Sequence, residues 1–232
     1  GFAGSLGNVG YGYDGACNCY YTDNADVYSN PGDTTQMRLT YASGPLSFAV
    51  ALEDATGSGG SWGDADDLGV AAEVKYSGDV VSAEIAGTWR GKPQTASVAY
   101  SDYTASTTTD TEDFWQVGAG LGFALGDMAS ISLAANVGQI NNGADFWNVN
   151  GLISANLSDT IHGEVGAGYK SYDDANGYTD TEREVWAVLA GLYYDPVPQL
   201  TIGLEAEYSE TEQETDYKAQ DTTIDLVTVF RF

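Results

Sequence analysis

The sequence predicts an all-β chain, an antiparallel up-and-down sheet of the membrane-spanning kind. Three observations carry this. From Thr34 onward, apolar and polar residues alternate through eleven successive segments, the two-residue period of a strand. These segments run to roughly eight to twelve residues, which suits a tilted membrane strand of about 9–11 residues better than a soluble strand of about 5–6. Tight turns also alternate with mostly longer, acid-rich loops. That places the turns on one side of the sheet and the loops on the other, as an up-and-down barrel requires and a Greek-key sandwich does not.

Composition agrees. Hydrophobic residues make up 43% of the 232 residues, too many for a disordered chain. Glycine (29) and tyrosine (16) are abundant and proline (5) is scarce, as strands joined by turns require. No apolar run approaches the roughly 18 residues of a membrane helix. The net charge of −26, with only eight Lys plus Arg, argues against nucleic acid as a partner, because the phosphate backbone needs clustered cations. Neither an initiating Met nor a basic, apolar signal segment stands at Gly1, so the chain is expected to be a mature protein or a piece of one.

The elements follow in order. Residues 1–33 form a first unit: a short strand within Gly7–Asp14, then a loop from Cys17 to Asp33 ending in the turn signal Asn30-Pro31-Gly32-Asp33. A disulfide between Cys17 and Cys19 would close a very tight, uncommon ring, and two thiols alone make no zinc site; they belong to that loop, with oxidation open to them in a periplasmic or external compartment. Residues 34–232 form the regular part. Met37, Leu39 and Tyr41 alternate with polar neighbours, and Ser43-Gly44-Pro45 turns the chain into Leu46, Phe48, Val50 and Leu52. After a loop over Asp54–Asp67 come Leu68 to Tyr76, the turn Ser77-Gly78-Asp79, and Val81 to Arg90. A long Thr/Ser/Asp loop, Gly91–Asp113, leads to Trp115–Phe123, the turn at Gly126-Asp127, and Ile131–Val137. The loop at Asn141-Asn142-Gly143 is short. Trp147–Leu157 and Ile161–Lys170 flank Ser158-Asp159. An acidic loop is expected over Ser171–Arg183, then a strand over Glu184–Tyr194, a turn at Asp195-Pro196-Val197-Pro198, and a strand over Leu200–Tyr208. A last acidic loop, Glu210–Asp221, precedes the final strand, Thr222–Phe232.

Each strand has an apolar and a polar set. The polar set holds Arg38, Glu53, Glu73, Lys75, Glu84, Arg90, Glu164, Lys170, Glu205, Glu207, Asp225 and Arg231. The apolar set often ends in aromatics: Tyr41, Tyr76, Trp89, Trp115, Trp147, Tyr169, Tyr194, Tyr208 and Phe232. Aromatics at strand ends match girdles at two bilayer interfaces, which turns the apolar set toward lipid and the polar set toward a water-filled lumen.

The final strand, closing on Phe232, resembles the last strand of bacterial outer-membrane β-barrels, where the terminal phenylalanine is read by the assembly machinery. Stretches such as Thr35-Gln36-Met37-Arg38-Leu39-Thr40-Tyr41 and Tyr194-Asp195-Pro196-Val197-Pro198-Gln199-Leu200-Thr201-Ile202-Gly203-Leu204 resemble the general porins, most of all those of alphaproteobacteria. The resemblance implies a sixteen-stranded barrel, a homotrimer, and a third external loop folded inward to narrow the pore. Eleven strands follow that loop in the family, so the chain would carry the last eleven or twelve strands, with the loop in residues 1–33. The alternative takes Phe2–Tyr13 as a strand and closes a self-contained twelve-stranded barrel. The Pro-Glu-Phe-Gly-Gly type of loop sequence found in some porins is absent.

The resemblance also implies a function: passive diffusion of ions and small hydrophilic solutes across the outer membrane, with lipid as the surrounding partner. Arg38, Lys75, Arg90, Lys170 and Arg231 would be the basic pore lining. Arg38 would stand as a wall residue opposite Asp23, Asp26 and Asp33 of the constriction loop. The acidic excess predicts cation preference. Acidic loops offer oxygen ligands for Ca²⁺, though none has EF-hand spacing; no other cofactor is expected. Two other classes match parts of the pattern. The only histidine, His162, near Ser154 and Glu164, is the one candidate general base for a barrel hydrolase, against its plainer role as a polar lining residue. A soluble acidic β-sandwich binding sugars through Trp and Tyr is the third, and would need no detergent.

Overall fold

In the computed structural model the described residues are 2–4, 6, 9, 33–54, 68–91, 113–139, 144–174, 181–213 and 217–231. They form twelve strands: β1 (Phe2–Gly4), β2 (Asp33–Ser43), β3 (Leu46–Asp54), β4 (Leu68–Ser77), β5 (Val81–Arg90), β6 (Phe114–Leu125), β7 (Ala129–Gln139), β8 (Asp145–Ser158), β9 (Ile161–Asp174), β10 (Thr181–Val197), β11 (Leu200–Gln213) and β12 (Tyr217–Phe230). They make one sheet in strict chain order, and every neighbouring pair is antiparallel. Among the described residues β12 pairs only with β11, and β1 covers only the first three residues of β2.

The register follows from the two-residue period. Leu39 faces Val50 across β2 and β3, and Val50 faces Ala72 of β4, so each apolar set lines up with the next. Polar and small residues are covered on one face while large apolar residues are open on the other. Ile224 and Leu226 are 68% and 77% exposed, whereas Glu53 and Gln116 are fully covered. A water-soluble domain does the reverse. The apolar set predicted for each strand lies on the outward face, and the polar set on the inward face.

The outward aromatics form two belts. On the tight-turn side stand Tyr41, Tyr76 and Tyr194. On the loop side the rings associate: Trp89 pairs with Trp115 across β5 and β6, Trp147 packs on Tyr169 at 5.1 Å and Trp186 on Tyr208 at 5.3 Å. The tight turns are short because Gly44 (φ 58) and Gly126 (φ 66) adopt the left-handed conformation a compact hairpin needs.

Four boundaries differ from expectation. The first strand is Phe2–Gly4, which falls within the alternative Phe2–Tyr13; of the expected Gly7–Asp14 strand only Val9 is described, and it is not in a strand. Asp33 belongs to β2, paired with Gly4, rather than to the preceding loop. The acidic loops near residues 171–183 and 210–221 are mostly strand: β9 and β10 extend to Asp174 and from Thr181, β11 and β12 to Gln213 and from Tyr217. Their acids hide the alternation because both faces become polar once the strands leave the apolar belt. Finally, β10 passes through Asp195-Pro196 with a shift of register between Tyr194 and Val197. A bulge there absorbs the proline, which has no N–H to offer the ladder. Cys17, Cys19 and Phe232 lie outside the described residues.

Candidate functional site

The inward face is built by long side chains reaching over small ones. Arg38 on β2 meets Glu73 on β4 at 3.5 Å, two strands away. It can do so because β3 offers only Ala49 and Ala51 between them, opposite Glu73 and Arg38 respectively. Lys75 bridges Glu73 at 2.8 Å and Glu84 of β5 at 3.5 Å, continuing a chain of alternating charges. Arg90 of β5 likewise crosses β4 to reach Glu53 of β3 at 3.2 Å. It passes over Gly69, where a Cβ would lie 2.8 Å from Arg90 Cγ. Thr88 also donates to Glu53, at 3.4 Å.

The next part of the face is neutral. Gln116 donates to Asn136 at 3.2 Å, and Asn136 donates to Asn148 at 2.9 Å, an amide ladder across β6, β7 and β8. Lys170 lies over the Phe146 ring at 5.4 Å. Ser154 donates its hydroxyl to Glu164 at 3.1 Å.

Across β8 to β12 the inward face turns partly apolar. Leu152, Leu189 and Tyr193 cluster, with Val227 and Val229 packed against them. Tyr193 lies flat on the wall because Gly203, its partner on β11, leaves the space: a Cβ there would sit 2.4 Å from Tyr193 Cδ1. Its hydroxyl donates to Glu205 at 2.8 Å. His162 stacks on the same ring at 4.8 Å and places Nδ1 2.9 Å from Asp195. Thr201 donates to Asp195 and accepts from Arg231 at 2.9 Å. His162 therefore sits in a wall network with Asp195, while Ser154 is engaged by Glu164.

Beyond the loop-side belt, on the outward face, Glu210 accepts from Lys218, from Gln220 at 2.7 Å, from Tyr208 at 3.1 Å and from Trp186 at 3.3 Å. The Lys218 ammonium first, and then Gln220, hold its carboxyl down at about 2.

Of the expected lining residues, Arg38, Lys75, Arg90, Glu53, Glu73 and Glu84 are brought together into the charged part of the face. Glu164, Lys170, Glu205, Glu207, Asp225 and Arg231 are spread over the remainder of the same face. Arg38 is thus paired within the wall. Asp23 and Asp26 lie outside the described residues, as do the loops 55–67, 92–112 and 175–180.

Sequence reasoning did not pick out Tyr193, Asp195, Val227 and Val229, nor the two early residues Leu6 and Val9, which are covered by the inward face. Inward parity would have flagged the first four. Leu6 precedes the segments read from the sequence, and Val9 falls in the glycine-rich Gly7–Asp14 stretch, where no polar and apolar sets mark an inward face.

A chain-ordered antiparallel sheet with an apolar outer face, two aromatic belts and a polar, hydrogen-bonded inner face has the fold of transmembrane β-barrels. Solved structures agree. The outer membrane channel DcaP of Acinetobacter baumannii aligns with all of this chain over 70% of its own length, at 14% identity and a TM-score of 0.72. A loop-deletion form of OmpT, an outer membrane protein of Vibrio cholerae, aligns with 99% of this chain and 74% of its own length, at 14% identity and a TM-score of 0.58. A porin refined at 1.8 Å aligns with 92% of this chain and 66% of its own length, at 14% identity and a TM-score of 0.56. No family model matches the chain, and no curated protein matches it in sequence.

Proposed function

We propose that the protein is an outer-membrane channel of the porin type, passing ions and small hydrophilic solutes by diffusion, with a preference for cations. The observation that carries this is the parity of the eleven long strands. Lipid-compatible side chains face outward, and polar, hydrogen-bonded and small ones, charged in part, face inward, the arrangement that lets water fill a lumen in hydrocarbon. The expected lining holds seven acids against five bases, and an acidic wall favours cations. The fold neighbours include a channel and a porin by name. A trimer is the assembly that the resemblance to general porins favours. The role is transport without catalysis, in keeping with a His162 that meets Asp195 and Tyr193 while Ser154 serves Glu164.

Planar-bilayer recording tests the proposal. Folded protein is expected to give discrete, long-lived conductance steps, and a KCl gradient to give the reversal potential of a cation-preferring pore. No steps from folded protein would overturn the channel, and an anion-selective potential would overturn the charge argument.

A further inference from the structure

We infer that the inward face of β6 near the tight turns is the floor of a binding trough for small neutral polyols, held by the hydroxyls of Ser82, Ser130 and Ser132. That solutes meet it along a lumen rests on the channel proposed above; the trough itself does not.

Past Gln116 the inward residues of β6 are Gly118, Gly120, Gly122 and Ala124, so this strand gives the wall almost no side chain. Its neighbours stand higher. Ser82 of β5 and Ser132 of β7 flank Gly122, and Ser130 of β7 flanks Ala124. With neighbouring strands about 4.8 Å apart, the serine on β5 faces those on β7 across roughly 10 Å, and the two on β7 stand about 7 Å apart. Between them lies a recess of about 150 Å³, room for roughly five waters at about 30 Å³ each. Val80 lines its tight-turn end, where the Val80 carbonyl accepts from the Ala124 N–H at 2.8 Å.

The chemistry of the recess selects its ligand. Among the described residues none of these three hydroxyls is engaged in a hydrogen bond, whereas Ser154, on the same face, gives its own to Glu164 at 3.1 Å. The Ser82 hydroxyl hangs over the floor, since a Cβ at Gly122 would lie 2.4 Å from its oxygen. Among the described residues no charged side chain lines the recess. The next inward residue of β5, Glu84, faces Gly120 and is bridged by Lys75 at 3.5 Å. An ion therefore gains no counter-charge in the trough, and an apolar solute would strip water from the hydroxyls without replacing its bonds. A sugar or sugar alcohol answers each hydroxyl with one of its own, because a hydroxyl both donates and accepts. Hydrogen bonds exchanged against water are individually weak, so the expected dissociation constant is about 10–100 mM, which lets a solute pause and leave.

The test uses the folded full chain with Cys17→Ser and Cys19→Ser, carrying Ala124→Cys on the trough floor as a reporter. Asp159→Cys, on a separate exposed tight turn, is the reference. Xylitol is the probe ligand and a water-soluble maleimide the label. At about 500 mM xylitol, Ala124→Cys is expected to react at least about fivefold more slowly than without it, by simple occupancy, after division by the rate of the reference. Adding Ser82→Ala together with Ser132→Ala should cut that slowing to less than about twofold. Gly122→Ala is an independent wedge that displaces the Ser82 hydroxyl without removing it, and should do the same. Equal reactivity with and without xylitol, or a slowing that survives both changes, would overturn the trough. Equal slowing by ethanol, which has a single hydroxyl, would overturn the assignment to polyols. In planar bilayers xylitol should add fluctuations to the open-channel current of the parent that the double serine variant lacks. A parent with steps but no such difference would overturn the place of the trough on the solute path, and a parent without steps would overturn the channel while labelling still decides the site.

Discussion

Leu133 offers the sharpest measurement of which solvent wets the outward face. It is the fifth residue of β7, half-exposed, with Leu121 of β6 beside it. At about 3.4 Å per residue it lies roughly 14 Å along the strand from Ala129. A tilt of about 45° turns this into a depth of about 10 Å from the tight-turn rim, close to the middle of an apolar band about 25 Å tall. Leu133→Arg at that depth should destabilise by about 2–4 kcal/mol, roughly thirtyfold to several hundredfold in the folding equilibrium. Ser132→Arg, one residue away on the inward face, should cost less than about 1 kcal/mol, because lumen positions tolerate charge. Reversible urea unfolding in phosphatidylcholine vesicles, followed by the fluorescence of the five tryptophans, reads both. If Leu133→Arg falls within about 0.5 kcal/mol of the parent, as at an ordinary water-exposed position, hydrocarbon does not contact this face. The assignment of inside and outside would then be wrong for the whole sheet.

Two further outcomes are expected. Gly203→Val should drive Tyr193 from its place on the wall and cost about 1–3 kcal/mol by overpacking, measured by the same unfolding assay. The Glu210 carboxyl titrates at about 2, below its ordinary 4.5, so the stability it contributes is present above pH 4.5 and is lost as pH falls from there through about 2. The stability difference between the parent and Glu210→Gln should therefore vanish over that window, and a difference that persists below it would refute the Lys218 contact.

The strand set and its facing were legible because a membrane strand repeats one simple rule over many residues. Met37, Leu39 and Tyr41 point outward for the same reason as Leu200, Ile202 and Leu204. The rule weakens where the surroundings stop being two-sided. Glu182 and Glu184 of β10, and Glu210 and Glu212 of β11, lie beyond the aromatic belt, where strand and loop compositions converge. The charged residues of the inward face were legible as sharing one parity, but their pairing was not. Arg38 finds Glu73 because of what β3 lacks, and an absence of bulk on an intervening strand is not visible from the charged residues themselves. Leu6 and Val9 were beyond reach for a similar reason, since their partners are separated from them by dozens of residues and are chosen by the shape of the wall.

That dependence on bulk gives the alanines of β3 an influence that their chemistry does not suggest. Enlarging Ala51 to valine adds no ion and removes none, yet it would stand in the route by which a guanidinium on one hairpin touches a carboxylate on the next. Selectivity in such a wall can drift through substitutions that leave the tally of acids and bases untouched. Two relatives with identical charges could therefore present quite different landscapes to a passing ion.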